Sequence, residues 1–357
     1  MKISYQKNHK MISKKKLLFY SATIIVATYF LFLGLTKAKG FFAPMITAVI
    51  LSLIVLPLSQ RMERKLKRPL AAILNSLLLF LISIGLMAIV SFQVRSFAED
   101  WPQIKETMEP KIENAKEFAL EHTPLNKQDI EEAKNSSSTM DLQPGKWAKT
   151  FMSGLSSFLA NYLLTFVYIF FLLNYRHIFK NFLLRVFPDE KQQTIKTIIV
   201  KSAEVAPQYL LGKLILMGLL AVIYSIGLGI SGVNNFILVS VIAAVLTLIP
   251  YIGNVIGFVM AVAFGFLTSG DITVLIGIAL TFTITQFVES YVLQPYVVGE
   301  RVDVHPFFVI VSVILGNMVW GVIGMILAIP IMAIITVVLL NIRQLRPFGI
   351  LFSKKEF

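Results

Sequence analysis

The chain has 357 residues, of which 56% are hydrophobic and 15% are charged, with a formal net charge of +13 and no cysteine. Soluble domains average about 45–50% apolar and about 25% charged residues, so this composition indicates an all-α polytopic membrane protein. The missing cysteines exclude disulfides, thiolate metal sites and a cysteine nucleophile. The basic residues stand beside apolar runs, which is the positive-inside pattern and argues against nucleic acid as a partner.

Residues 1–92 predict three membrane spans, at about 17–36, 41–58 and 69–92. Each approaches the ~20 apolar residues that cross a bilayer. Residues 1–16 hold six lysines and no acid, and residues 61–68 hold five basic residues and one acid. Both stretches are therefore expected in the cytoplasm.

Residues 93–150 differ in kind, because they carry eleven acidic and eight basic side chains. An acidic balance fits the outer side of the membrane. The apolar spacing in residues 101–120 is typical of an amphipathic helix, and the Asn-Ser-Ser-Ser-Thr run at 135–139 is a flexible linker by composition. We expect a small extracytoplasmic helical segment; the alternative is a plain connection between spans.

Residues 151–208 predict a fourth span, to about 173, followed by cytoplasmic surface helices. Residues 209–342 form the predicted transport core, and residues 343–357 form a basic cytoplasmic tail. The core repeats one pattern: a span (209–230, then 272–293) followed by an interrupted apolar segment (236–267, then 306–340). Each interrupted segment either crosses the membrane once, giving about eight spans, or forms a re-entrant hairpin, an inverted arrangement typical of secondary transporters.

Glu289 is the most informative residue, because an ionised side chain at membrane depth is costly and normally marks a functional path. Thr281, Thr285 and Glu289 follow at intervals of four and therefore share one helix face, with Gln286 and Ser290 beside it. Two alternatives stay open for Glu289. It could reach the membrane interface, or it could pair with a structural Lys or Arg.

The interrupted segments carry the other candidate residues. Pro250, Gly253 and Asn254 mark the predicted break in the first segment. The second segment has predicted breaks at Gly316–Asn317 and again at Gly321 and Gly324. Backbone groups unpaired at membrane depth must face protein or a wet cavity, so such breaks can bind a polar solute or ion. Alternatively, these residues only kink or pack ordinary helices. The predicted binding set is Glu289, Gln286, Asn254, Gly253, Pro250, Thr285, Gly316 and Asn317.

No phosphate-binding Gly-rich loop ending in Lys-Ser/Thr occurs, which argues against an ATP-driven pump. An intramembrane protease would need a second aspartate in a span, or a serine paired with a histidine at membrane depth. The sequence shows neither arrangement. We therefore expect neither an enzyme, nor a cofactor, nor a metal centre.

The C-terminal third resembles the autoinducer-2 exporter (AI-2E) family of bacterial membrane proteins. Residues 209–213 resemble the entry to the family's fifth span, and residues 249–254 resemble its Pro-x-x-Gly-Pro signature. Further matching positions are Gln286, Glu289, Pro295, Gly299, Pro306, Gly316, Gly321, Gly324, Ala328 and Pro330. This chain has Asn254 where the family usually has proline, and Asn317 where it usually has a second glycine.

The resemblance implies a multi-pass, oligomeric transporter of about eight spans in the bacterial cell membrane. Family members are associated with export of a furanone-type quorum signal, and others resemble Na⁺(Li⁺)/H⁺ antiporters. We expect a secondary transporter that exports a small polar solute, with Glu289 coupling a proton or sodium ion. Its partners would be that solute, a monovalent cation and the lipid bilayer. The alternatives are a cation/proton antiporter and a non-transporting scaffold.

Overall fold

A computed structural model describes residues 14–85, 144–249, 252–269, 271–298 and 303–354, together with isolated helical positions at 87, 88, 91, 92, 95, 99, 102, 106 and 110. Every regular element in these residues is helical, as the composition predicts. Pro250 and most of residues 93–150, for which a binding role and an outer helical segment were predicted, lie outside the described residues.

The N-terminal region consists of α1 (Lys14–Lys37), α2 (Lys39–Met62), α3 (Arg68–Gly85) and α4 (Pro144–Arg185). The spans predicted at 17–36, 41–58, 69–92 and 151–173 fall on these helices in order. A small apolar cluster joins α2, α3 and α4 through Ala48, Val55, Ala72, Ile169 and Leu173.

Two helices are longer than the sequence predicts. Helix α4 continues past residue 173 to Arg185, and α5 runs from Asp189 to Ile230, 42 residues in each case. The expected separate surface helices at 174–208 are therefore the ends of these two helices. Pro188 immediately precedes α5 and stops the chain from continuing as one helix, whereas Pro207 is accommodated inside it.

The first interrupted segment is a helical hairpin, hairpin 1, made of α6 (Phe236–Leu246) and α7 (Ile252–Ser269). The two helices are antiparallel and close. A Cβ on Gly257 would lie 3.2 Å from the Cβ of Ala243, and one on Gly253 would lie 1.7 Å from the carbonyl O of Leu246. Glycine is required at position 253 because any side chain there would overlap the opposite backbone.

Helix α8 (Ile272–Val288) continues directly into a π-helix, π1 (Glu289–Val298). Asp271 caps α8, because its carboxylate accepts a hydrogen bond from the backbone N–H of Thr273 at 2.8 Å. The predicted span at 272–293 thus begins at the expected residue and changes helix type at Glu289. Wider π-turns are often found at functional sites.

The second interrupted segment, hairpin 2, pairs α9 (Pro306–Trp320) with α10 (Val322–Asn341). Of the breaks predicted here, the one at Gly321 is observed: the chain reverses there, and its φ of +64° suits glycine. Those predicted at Gly316–Asn317 and Gly324 are wrong, because these residues lie inside α9 and α10. Gly316 instead allows close packing, since a Cβ there would lie 2.4 Å from the carbonyl O of Gly324.

The base of hairpin 2 is covered by the last helix, α11 (Arg346–Phe352). The Ser353 hydroxyl and the Lys354 backbone N–H donate to the two carboxylate oxygens of Asp303 at 2.7 and 2.9 Å. The backbone N–H of His305 donates to the Phe352 carbonyl at 2.7 Å. His305 itself caps α9, because its Nδ1 accepts from the Phe307 N–H at 3.3 Å.

Six helices of the described part are long and apolar enough to cross a membrane. Large apolar side chains cover their outer surfaces; Ile215 is 56% exposed, Leu81 57% and Phe287 62%. Such a surface is stable only in contact with lipid or another apolar partner. The main core, by contrast, lies among α5 to α10, with Ile50 of α2 added.

Candidate functional site

The candidate site lies where hairpin 1 meets α5 and the start of π1. Glu289 is 4% exposed and is the only buried acidic residue among those described. Thr281 and Thr285 are buried on the same face of α8, as their spacing predicts, whereas Gln286 and Ser290 beside them are exposed. Glu289 is therefore enclosed by protein rather than exposed on the surface of the described part.

Glu289 has two polar contacts. The Nζ of Lys213, on α5, lies 3.6 Å from its Oε1, and the side chains of Lys213 and Glu289 are 13% and 5% exposed. The Nδ2 of Asn254, near the turn of hairpin 1, donates to its Oε2 at 3.1 Å. A buried carboxylate and a buried ammonium each need such partners, because unpaired charge in a low-dielectric interior is very costly.

Asn254 also joins Gln286 to the site. Its Nδ2 donates to the Oε1 of Gln286 at 2.7 Å, and the Nε2 of Gln286 donates to the Ser290 hydroxyl at 3.1 Å. The structure thus brings Asn254, Gln286 and Glu289 together, three of the predicted binding residues. Gly253 precedes Asn254, and its close contact with Leu246 positions the turn from which Asn254 projects.

Gly316 and Asn317 do not join this site. Both lie in α9, and no hydrogen bond or ion pair among the described residues connects them to Glu289. The Asn317 carbonyl accepts from the Gly321 N–H at 2.8 Å and so belongs to the turn of hairpin 2.

Lys213 is the residue that sequence reasoning missed. The sequence left open a structural Lys or Arg beside Glu289 but did not say which. Spacing along α5 holds a signal: Lys213 precedes Ile230 by 17 residues, and Glu289 follows Ile272 by 17, about 25 Å in each case. Because these ends lie side by side, with Gly277 close to Ser231, both charges lie at a similar distance from them along antiparallel helices.

Close backbone packing holds α5 against π1 beside this pair. A Cβ on Gly212 would lie 3.0 Å from the carbonyl O of Val297 and 3.1 Å from the Cα of Val298. A Cβ at this position would require the π1 backbone to shift by a few tenths of an ångström. Gly212 thereby fixes the position of Lys213, the next residue along the chain.

A groove of about 550 Å³ runs between α5 and α8 and ends one helical turn from Glu289. Its polar residues are Ser231, Thr273, Thr281 and Thr285, and most of its remaining wall is isoleucine and leucine. The Ser231 and Thr281 hydroxyls are 3.4 Å apart. Two glycines allow α5 and α8 to approach closely. A Cβ on Gly227 would overlap the side chain of Thr281, and one on Gly277 would overlap that of Ser231.

A second charged cluster joins the ends of α2, α3 and α4. Glu63 accepts both Nη hydrogen bonds of Arg176, the Nη2–Oε2 distance being 2.6 Å, and Arg68 lies 3.5 Å away. The hydrogen bond from Arg176, helped by its positive charge, holds the pKa of Glu63 below its ordinary value of 4.5. This fork-shaped pair ties distant helices together.

Apolar helices, two back-folded hairpins and a buried ion pair at one hairpin turn together define a multi-span membrane protein of the transport class. The same class emerges from comparison with known proteins. The chain belongs to the AI-2E transporter family, whose model, described as AI-2E family transporter, matches residues 18–344.

Several relatives of this chain are described as transport proteins. The chain is 26% identical to "Putative transport protein YueF" of Bacillus subtilis over 366 residues, 92% of each chain. It is 27% identical to "Putative transport protein MT0215" of Mycobacterium tuberculosis over 87% of this chain and 85% of that one. It is 30% identical to "Putative transport protein YrrI" of B. subtilis over 39% of this chain and 38% of that one.

Proposed function

We propose that this protein is a secondary transporter of the bacterial cell membrane that exports a small polar solute, of the autoinducer-2 type, in exchange for a proton or sodium ion. The observation that carries the proposal is Glu289, a buried carboxylate at the turn of hairpin 1, held by Lys213 and Asn254. A buried charge on a membrane helix is expensive and is retained where an ion or proton must bind.

The groove between α5 and α8 supplies the proposed route to this carboxylate. Three hydroxyl groups line this groove toward Glu289. Ser231 follows the end of α5, and Thr281 and Thr285 lie one helical turn apart on α8. Hydroxyls both donate and accept hydrogen bonds, so they can replace part of the water shell of a polar solute or ion. Glu289 lies about 25 Å along the helix from the start of α8. With that start at one membrane boundary, Glu289 lies toward the far side of a hydrocarbon core of about 30 Å.

The proposed orientation places both termini in the cytoplasm and the α5–α8 junction outside. Hairpin 1 would then enter from outside and hairpin 2 from inside, since their bases lie at opposite ends of α8 and π1. We further propose a homo-oligomer, because large apolar side chains remain exposed on the described helices.

The test is transport by purified protein in liposomes. Extracellular metabolite profiling of a deletion strain against its complement first identifies the solute. Flux of that solute is then measured with and without an imposed pH or sodium gradient. Glu289→Gln is expected to abolish the gradient dependence, because the amide can neither carry the charge nor exchange the proton.

The matched control is Asp271→Asn on the same helix. Asp271 is exposed and caps α8, and asparagine caps equally well, so flux should stay at the wild-type level. If Glu289→Gln keeps both flux and its gradient dependence, the coupling role is wrong.

A second candidate is a Na⁺(Li⁺)/H⁺ antiporter without an organic solute. The specific observation in its favour is that an ammonium group already stands 3.6 Å from the Glu289 carboxylate, where an inorganic cation would bind. Sodium-driven proton movement in liposomes without any solute would select this function. Its absence, with solute flux present, would select export.

A further inference from the structure

The buried pair of Lys213 and Glu289 is loose for its environment. Its N–O distance of 3.6 Å exceeds the ~2.7–2.9 Å of a charge-assisted hydrogen bond. The ammonium and the carboxylate therefore attract each other across a distance longer than that of a tight charge-assisted hydrogen bond. A lysine ammonium is also a compact charge on a flexible stem and can withdraw from its partner without breaking a two-point contact.

The two oxygens of Glu289 have different partners. Oε2 accepts the Asn254 amide at 3.1 Å, whereas Oε1 faces Lys213. Asn254 is anchored in turn on Gln286, 2.7 Å away. The carboxylate thus stays oriented by a neutral amide when the ammonium leaves, and Oε1 is the oxygen at which one cation can replace another.

The oxygen donors nearby suit a monovalent cation. The described residues contain no group of three or more His, Cys, Asp or Glu side chains that could hold a metal ion. One carboxylate balances one positive charge, and the amide oxygen of Gln286 adds a neutral oxygen within the same network. Hard cations bind such oxygens.

We propose that Lys213 is an internal competitor of the transported cation: its ammonium and a sodium or lithium ion neutralise Glu289 in turn. With both present, two positive charges would share one carboxylate in a poorly solvated site, which is unfavourable. Binding of the ion therefore displaces the ammonium. This inference rests on the proposed function and adds a positioning residue to it.

The competition predicts that loss of Lys213 increases the affinity for sodium. Lys213→Gln removes the competitor and should tighten sodium binding at least tenfold, whereas loss of an ordinary site residue weakens binding. The probe is sodium chloride, titrated against the purified full chain in detergent. The readout is the melting temperature, which rises with ligand bound to the folded state. Choline chloride keeps the ionic strength constant.

Three further variants make the result specific. Lys213→Met, of similar length and uncharged, should tighten sodium binding as Lys213→Gln does and replaces it if that variant is unfolded. Lys213→Arg keeps the charge and should bind sodium no more tightly than wild type. Lys213→Gln combined with Glu289→Gln should lose the sodium response.

An unchanged or weaker sodium affinity in both uncharged variants overturns the inference, as does a response that survives in the double variant. These outcomes are separate from failure of the transport proposal. Tighter binding without any flux in liposomes supports the competition and removes the transport function. Gradient-driven flux that requires Glu289, together with unchanged sodium affinity in the uncharged Lys213 variants, supports the transport function and removes the competition.

Discussion

The N-terminal region and the C-terminal core each contain an acid–base pair between helices far apart in sequence, but the two pairs are built differently. Glu63 and Arg176 make a two-point contact with side chains 14% and 25% exposed. Glu289 and Lys213 make one contact at 3.6 Å with side chains 5% and 13% exposed. Arginine's rigid fork suits a permanent tie, whereas lysine suits a partner that is exchanged.

The two regions also differ in how closely other atoms approach their glycines. A Cβ on Gly34, Gly40 or Gly85 would meet nothing within 4 Å, whereas one on Gly253 or Gly316 would overlap opposing backbone. Several glycines of the core therefore permit close backbone approach, whereas the three N-terminal glycines named here do not have that role. Close packing at Gly253 restricts movement of the hairpin 1 backbone beside Asn254, a partner of Glu289.

The largest expected effect comes from breaking the packing of the core. Gly253→Ala places a Cβ 1.7 Å from the carbonyl O of Leu246, so the turn of hairpin 1 must move. Overpacking of this kind costs about 3 kcal/mol, and we expect a lower melting temperature and loss of flux. The control is Gly34→Ala, which meets open space. Equal melting temperatures in the two variants would contradict the comparison.

Exchanging the basic residues tests whether the looseness of the buried pair matters. Lys213→Arg introduces a fork that can hold both oxygens of Glu289, so we expect flux to fall about tenfold, equivalent to about 1.4 kcal/mol. The converse exchange, Arg176→Lys, should change flux less than about twofold, because its pair only ties helices together. Wild-type flux in Lys213→Arg would remove the functional difference between the pairs.

Arg176→Lys should instead lower stability. Lysine replaces the two-point contact with Glu63 by one contact, and a hydrogen bond to a charged group contributes about 1.5 kcal/mol. Thermal unfolding in detergent measures the loss. Because Glu63→Gln removes the same interaction, the double variant should lose less than the sum of the single variants; simple additivity would show that the pair is not coupled.

The smallest effect is a pH dependence of the N-terminal pair. The pKa of Glu63 lies below its ordinary 4.5, so its stabilisation is present above that pH and is lost as the pH falls through the lowered value. The difference in melting temperature between wild type and Glu63→Gln should be constant above pH 5 and shrink below 4.5. In an Arg176→Met background the pH-dependent part should shrink, because only the Ser59 hydrogen bond and the Arg68 charge still lower the pKa of Glu63. An undiminished pH dependence would assign it to another group.

Much of the site follows from local rules in the sequence. Helical periodicity places Thr281, Thr285 and Glu289 on one face, and all three are buried together. The cost of a charge in lipid identifies Glu289 without any tertiary information. The approximate positions of the spans in the described part follow from apolar runs of bilayer length.

The remaining features depend on contacts between distant segments. Lys213 and Glu289 are brought together by the relative alignment of α5 and α8, which no local pattern specifies. Gly316 and Asn317 resemble a helix break, but Gly316 is needed for close approach to Gly324, and the chain reverses at Gly321. A glycine inside an apolar run indicates either a break or a close contact, and only the partner helix decides between them.

The hydrogen bonds between Asp303 and residues 353–354, with that from His305 to Phe352, join the base of hairpin 2 to the final helix as a single body. A displacement of this hairpin relative to α5 therefore carries the tail with it. A fluorophore attached at residue 354, paired with a second dye on the aqueous end of α5, would follow that displacement in real time.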